Sequence, residues 1–175
     1  MFRLPTRVDF EPGCASRIPE LIRQMGSVRP LVITDPGVRS TDWFEPLIST
    51  CSSCRIDDQV SPNPKAEEVD TIAEVARSRG VDLVVGIGGG SVLDAAKAVA
   101  MLLQNPGHIN DYEGKDQFRN GSAPFIAVPT TCGTGSEVTW VSVISTPKEG
   151  RKISIKGDAM FPRFALSDAN LIRTL

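Results

Sequence analysis

Short apolar runs alternate with amphipathic stretches along this chain. Three runs, residues 30–35, 82–85 and 125–128, are almost wholly apolar. Continuous apolar runs of this length are typical of parallel strands that are covered on both faces. Weaker patterns predict further strands at residues 55–60, 138–144, 152–156 and 164–166, with 138–144 and 152–156 forming a hairpin.

Between these runs, apolar residues recur three and four positions apart, as they do on one face of a helix. The pattern predicts helices at residues 18–25, from about Asp42 through Cys51, at 65–79 and at 92–103. At the N-terminus, residues 2–4 and 8–10 predict a small β-hairpin or an edge strand. Strands and helices that alternate in this way predict an α/β fold, an open and mostly parallel sheet with helices on both faces.

Polar residues follow three of the predicted strands directly. Asp35 ends the first, residues 88–91 follow the second, and residues 130–136 follow the third. In open parallel sheets, ligands bind beyond the carboxyl ends of the strands. The three polar segments are therefore predicted to share one site.

The segment at residues 82–97 is the strongest candidate for a binding motif, because a strand runs through three consecutive glycines into a helix. Glycines allow tight turns and a close approach by an anion, and a helix N-terminus attracts phosphate. Ser91 is predicted as the N-cap, with Asp94 completing a near capping box. The motif predicts a site for the pyrophosphate of a dinucleotide. Since Ser91 stands where G-x-G-x-x-G has its third glycine, a purely structural glycine turn is the alternative.

Asp35 and the threonine-rich segment each have two interpretations. Asp35 could accept hydrogen bonds from a ribose diol and repel a 2′-phosphate, which would favour NAD over NADP, or it could simply begin a turn. Thr130, Thr131, Thr134 and Ser136 could surround a sugar or an amide ring, or they could cap a helix.

Composition excludes several classes of protein. The chain has 175 residues, a net charge of −2 and no long basic patch, so no nucleic-acid partner is expected. Without a signal-peptide core or a helix long enough to span a bilayer, we predict no membrane association and a cytoplasmic location. The Cys51–Cys54 spacing follows a helix instead of opening one, so we predict no redox or zinc chemistry there. A single histidine, His108, cannot build a multi-histidine metal site.

Residues 88–97 and 129–137 together resemble the motifs of the iron-containing (group III) alcohol dehydrogenases, with support from residues 33–35, 62–64, 111–114 and 165–168. The resemblance implies a Rossmann-like sheet of the kind found in the N-terminal domain of dehydroquinate synthase. Glycerol dehydrogenase and dehydroquinate synthase share the glycine turn but differ in the threonine-rich segment. Residues 133–137 therefore favour the alcohol dehydrogenase branch.

The resemblance also implies a role for ten residues, all in cofactor binding. Asp35 would contact the adenosine ribose, and Asn63 would help to hold the adenosine side of the cofactor. Gly89, Gly90 and Ser91 would bind the pyrophosphate, and Asp94 would lie near the nicotinamide end. Thr130, Thr131 and Thr134 would line the adenine and ribose path, and Lys152 would reach the nicotinamide ribose. The family often has a polar residue at a position where this chain has Trp140 and Val141. No cofactor contact is therefore assigned to these two residues.

By the same resemblance, a divalent metal, with iron favoured over zinc, is held by one aspartate and three histidines of a following helical domain. Residues 1–175 would then be the NAD(P)-binding N-terminal domain, without that helical domain and without catalytic or metal-binding residues of its own. Hydride transfer between NAD and an alcohol or aldehyde would need the full-length enzyme. A non-catalytic nucleotide-binding module and the glycerol dehydrogenase or dehydroquinate synthase branch are the alternatives. The N-terminal edge could pair two copies into a homodimer.

Overall fold

The computed structural model describes residues 4–49, 51 and 53–172. The strands are β1 (Arg7–Asp9), β2 (Pro30–Ile33), β3 (Arg55–Asp57), β4 (Leu83–Gly88), β5 (Gly114–Lys115), β6 (Phe125–Pro129), β7 (Val141–Thr146), β8 (Arg151–Lys156) and β9 (Phe164–Leu166). The α-helices are α1 (Ile18–Gln24), α2 (Pro36–Arg39), α3 (Phe44–Ile48), α4 (Ala66–Ser78) and α5 (Gly90–Gln104).

Six parallel strands form the main sheet in the order β1-β9-β6-β4-β2-β3. Successive side chains of a strand point to opposite faces, and β4 shows why both faces must be covered. Leu83, Val85 and Ile87 belong to a core shared with α1 and α3, whereas Val84 belongs to a core shared with α4 and α5. The predicted α/β fold, with helices on both faces of a parallel sheet, is confirmed.

A smaller sheet covers α5 on the side away from the main sheet. In it β8 pairs antiparallel with β7, as the predicted hairpin, and parallel with β5. Ile144, Ile153 and Ile155 are buried in the same core as α4 and α5. Because α5 lies between two sheets, it is buried on nearly every side.

Several local predictions were wrong. Strand β4 continues past Val85 to Gly88, because Gly86 and Gly88 pair with β6 as ordinary strand residues. The helix predicted from Asp42 through Cys51 is only the short α3, and Cys51 lies beyond it in a disulfide with Cys54. Residues 136–138 form a 3₁₀ turn, so β7 begins later than predicted.

The N-terminal prediction is partly outside the described residues, since residues 2–3 are among those not described. Within them, β1 pairs parallel with β9 and forms one edge of the sheet. Across residues 4–49, 51 and 53–172, the structure has no helix with the length and apolar character needed to cross a bilayer.

Candidate functional site

A cavity of about 480 Å³ opens where β2, β4 and β6 end. Six of the ten predicted site residues line it: Asp35, Gly89, Gly90, Ser91, Thr130 and Thr131. The three polar segments are close together because their strands are parallel neighbours, β2 beside β4 and β4 beside β6. The four other predicted residues lie outside its lining.

The glycine turn is required for space and not for an unusual backbone conformation. None of Gly88, Gly89 and Gly90 has a positive φ, and Gly89 has φ −74°. A Cβ on Gly90 would lie 2.6 Å from Thr134 Cγ2, which is too close for any real pair of carbon atoms. The glycines therefore let the threonine-rich loop pack directly against the start of α5, although Thr134 itself is not a cavity-lining residue.

The predicted cap of α5 was wrong. Gly89 is the N-cap, so Ser91 lies inside the first turn and forms no capping box with Asp94. The Ser91 hydroxyl instead accepts a hydrogen bond from the backbone N–H of Asn63, at 3.2 Å. Gly89 has no side chain with which to satisfy the first N–H groups of the helix. Residues 89–92 line the cavity, and the unpaired N–H groups of a helix N-terminus can bind an anion.

Asp35 has a local structural role and also lines the cavity. Its Oδ1 accepts a hydrogen bond from Val38 N at 2.9 Å, which caps the one-turn helix α2. The turn and the ligand-binding interpretations are therefore compatible, because a carboxylate can accept several hydrogen bonds at once.

Lys152 and Asn63 are brought together, although they are far apart in the sequence. The Lys152 ammonium donates to Asn63 Oδ1 at 2.8 Å, and Asn63 has a positive φ of 55°. Since Asn63 also contacts Ser91, this chain of hydrogen bonds ties strand β8 to the first turn of α5. A second tie is the 2.8 Å hydrogen bond from Ser145 N to Pro64 O.

Asp94 lies between α5 and β7, away from the cavity lining. Its Oδ1 accepts from the Ser136 hydroxyl at 2.6 Å and its Oδ2 accepts from Val143 N at 3.0 Å. Burial raises the pKa of Asp94, and the hydrogen bonds from Ser136 and Val143 oppose that rise.

Sequence reasoning missed Lys97, whose side chain is fully buried beside Asp94. Its ammonium donates to the backbone oxygens of Ser136 and Val141 at 2.9 and 2.6 Å. Burial lowers the pKa of Lys97 to about 8. The signal was present in the sequence, because a lysine in an otherwise apolar helix is seldom buried without partners.

A second cavity of about 460 Å³ lies beside α4, and four carboxylates line it, those of Glu67, Asp70, Glu74 and Glu149. Lys148 also lines this cavity and pairs with Glu67 at 3.1 Å, which leaves an excess of carboxylates. The excess negative charge repels a pyrophosphate, so the cavity beside α5 is the better dinucleotide site. His108 lies here and contacts Asp70 at 3.0 Å. Among residues 4–49, 51 and 53–172, no group of three or more His, Cys, Asp or Glu side chains is placed to hold a metal.

Comparison with known proteins gives a consistent result. The family model for "Iron-containing alcohol dehydrogenase" matches residues 5–169. Alcohol dehydrogenase 4 of Schizosaccharomyces pombe is 32% identical over 171 residues, which cover 95% of this chain and 40% of that protein.

Two solved structures have closely similar folds. Sulfoacetaldehyde reductase from Bifidobacterium kashiwanohense, in complex with NAD⁺, matches with a TM-score of 0.92 and 34% identity over 98% of this chain and 46% of its own. NADH-dependent butanol dehydrogenase A from Thermotoga maritima matches with a TM-score of 0.93 and 28% identity over 100% of this chain and 45% of its own. The chain thus spans less than half the length of each of these proteins.

Proposed function

The chain belongs to the iron-containing alcohol dehydrogenase family, and we propose on this basis that it binds NAD as part of an alcohol dehydrogenase. The full-length enzyme would transfer hydride between the nicotinamide and a small alcohol or aldehyde. One of the similar structures described above is a complex with NAD⁺, and the other is of a protein named NADH-dependent, which supports the choice of cofactor.

The observation that carries this proposal is the cavity at the start of α5. The first turn of α5, a 15-residue helix that begins at a glycine, lines one side of the cavity, and the start of the threonine-rich loop lines another. A Cβ on Gly89 or Gly90 would lie 3.2 or 2.6 Å from Thr131 or Thr134, so the glycines let the threonine-rich loop approach the first turn of α5. These features fit the pyrophosphate of a dinucleotide, whose charge the helix dipole stabilises.

The predicted residues would act on different parts of the cofactor. We propose that Gly89, Gly90 and Ser91 hold the pyrophosphate and that Asp35 accepts hydrogen bonds from the adenosine ribose. Thr130, Thr131 and Thr134 would line the adenine and ribose path, beside Asn63 on the adenosine side. Asp94 and Lys152 would serve the nicotinamide half. NAD itself supplies the hydride acceptor, and the protein binds and orients it.

We propose that the divalent metal implied by the family is bound by residues of the full-length enzyme outside 4–172. When bound, a metal ion polarises the alcohol oxygen and favours the alkoxide. Iron is the metal that the family description names, and the alcohol or aldehyde substrate is proposed only as a class.

Three further expectations stay predictions. The cytoplasmic location is one, and the preference for NAD over NADP is another. The homodimer is the third, and we propose that β1 forms its interface because it is an edge strand. Val8 and Phe10 are 40% and 81% exposed there, which leaves apolar surface for a partner strand to cover.

Titration of NAD into the chain, followed by calorimetry, tests the proposal. Gly90→Ala places a Cβ against Thr134 and over the first turn of α5, so NAD affinity should fall by about tenfold. Gly121→Ala is the matched control, because a Cβ there meets nothing within 4 Å. Gly121→Ala should bind NAD as the wild type does.

The proposal fails if the folded wild-type chain binds no NAD at millimolar concentration. It also fails if Gly90→Ala and Gly121→Ala bind NAD equally well. The non-catalytic module and the glycerol dehydrogenase or dehydroquinate synthase branch would share cofactor binding. They are separated from an alcohol dehydrogenase by the turnover of alcohols by the full-length protein.

A further inference from the structure

A buried ammonium group joins α5 to the segment that follows the threonine-rich loop. Lys97 Nζ donates to Ser136 O and Val141 O, and the hydroxyl oxygens of Ser136 and Thr139 lie 3.0 and 3.3 Å away. These oxygens all belong to residues 136–141, whereas the nearer oxygen of the Asp94 carboxylate is 3.9 Å from Nζ. Lys97 thus binds this segment much as a bound cation would.

Burial of an ammonium group is costly unless hydrogen bonds replace its water. Here three N–H donors meet four oxygens, so the group is well satisfied. An apolar side chain could fill the same space, but it could not hold two backbone carbonyls at fixed positions. The charge therefore fixes the path of residues 136–141.

Asp94 holds the same segment one helical turn away. Its carboxylate accepts from Ser136 and from Val143 N, and its backbone oxygen accepts from the Ser142 hydroxyl at 2.7 Å. Strand β7 begins in this segment and pairs with β8, where Lys152 lies opposite Ser145. The position of residues 136–143 against α5 consequently fixes the orientation of the Asp94 carboxylate and, through the pairing of β7 with β8, the position of Lys152.

We propose that Lys97 is a positioning residue for the nicotinamide-riboside half of the cofactor site. By fixing residues 136–143 against α5, it holds Asp94 and Lys152 where that half binds. Asp35 and the first turn of α5, which serve the adenosine-diphosphate half, make no contact with Lys97. The segment that Lys97 fixes reaches this half only indirectly, through the hydrogen bonds from Lys152 to Asn63 and from Ser136 N to Thr134 Oγ1. This inference rests on the proposed binding of NAD.

Two ligands separate the halves: NAD, and ADP as a probe of the adenosine-diphosphate half alone. In Lys97→Met, whose side chain is one atom shorter and has no N–H donors, NAD affinity should fall by about tenfold or more. ADP affinity should fall clearly less than NAD affinity, because the adenosine-diphosphate half is reached from Lys97 only through Asn63 and Thr134.

Two control variants accompany Lys97→Met. Lys148→Met changes a lysine whose side chain is 85% exposed, and both affinities should be unchanged. Ile22→Ala removes buried apolar contacts in the core on the opposite face of the sheet. It reports what a general loss of stability does to each affinity.

The wild-type chain offers an independent readout, even if Lys97→Met does not fold. Because the pKa of Lys97 is about 8, its ammonium loses a proton and one donor as the pH rises. The charged groups that act on it are Asp94 on its own helix and Glu137 on the facing segment, and Lys152 acts on Asp94. The preference for NAD over ADP should therefore fall between pH 7 and 9.

Two results would overturn the inference and leave NAD binding intact. One is an equal loss of ADP and NAD affinity in Lys97→Met, and the other is a constant NAD-to-ADP preference of the wild type from pH 7 to 9. If the wild type binds neither ADP nor NAD, at pH 7 or at pH 9, the proposed function itself fails, and the inference fails with it.

Discussion

The substitution Asp35→Asn separates the charge of Asp35 from its function as a helix cap. Asparagine is as good an N-cap as aspartate, so its side-chain oxygen can keep the 2.9 Å hydrogen bond from Val38 N. The amide can also still hydrogen-bond a ribose hydroxyl. The substitution therefore removes only the negative charge that lines the cavity.

The size of the effect follows from the repulsion between this carboxylate and a 2′-phosphate. Two like charges about 4 Å apart repel by roughly 1 kcal/mol in water and by about 4 kcal/mol at a partly shielded site. These energies correspond to about fivefold and nearly a thousandfold in affinity. Since Asp35 is half-buried at the cavity wall, we expect the ratio of NADP to NAD affinity to rise by at least fivefold.

Calorimetric titration of both cofactors measures this ratio directly. Asp42→Asn is the matched control, because Asp42 is exposed and does not line the cavity. The ratio of NADP to NAD affinity in Asp42→Asn should equal that of the wild type. The thermal midpoints of Asp35→Asn and Asp42→Asn should both match the wild-type value. If the ratio in Asp35→Asn stays within twofold of the wild type, Asp35 acts only as a cap of α2, and the selectivity argument is wrong.

Two further predictions concern stability. Gly88→Ala places a Cβ 2.6 Å from Val92 Cγ2, and the resulting overpacking should cost about 1–3 kcal/mol in the free energy of unfolding, as measured by urea denaturation. Burial alone would raise the pKa of Asp82, but hydrogen bonds from Ser27 and two backbone N–H groups outweigh burial and lower it. The ionised group therefore stabilises the fold above its unfolded pKa of about 3.9, and Asp82→Asn should lower the thermal midpoint at pH 7. That difference should disappear as the pH falls through the lowered folded pKa, and a difference that persists once the carboxyl is protonated in the folded state would contradict the argument.

Much of the fold could be predicted because parallel strands buried on both faces have a distinctive pattern. The runs that became β2, β4 and β6 were each recognisable from three or four consecutive apolar residues. Their carboxyl ends then had to share one edge of the sheet, which is why six predicted site residues line one cavity. The rule that ligands bind at this edge needed no knowledge of the loops.

Local details failed where tertiary contacts decide the conformation. Glycines suggested a tight turn, but Gly86 and Gly88 pair with β6, and the absence of their side chains makes room for α5. A serine near the start of a helix suggested a cap, but Ser91 bonds to Asn63, which lies 28 positions earlier. Neither partner can be read from the local sequence.

The same reasoning explains why Lys97 was missed and how such residues can be found. The pattern of α5 is apolar on nearly all sides, which predicts a helix covered by two layers and not by one. A lysine in the buried middle of such a helix must then meet oxygens from the second layer, because its side chain does not reach water. The sequence cannot show that these oxygens belong to Ser136 and Val141, since two of them are backbone carbonyls that any residue would supply. What the sequence does show is that Asp94 and Lys97 stand three positions apart on one helix, and both must therefore be bound by whatever covers it.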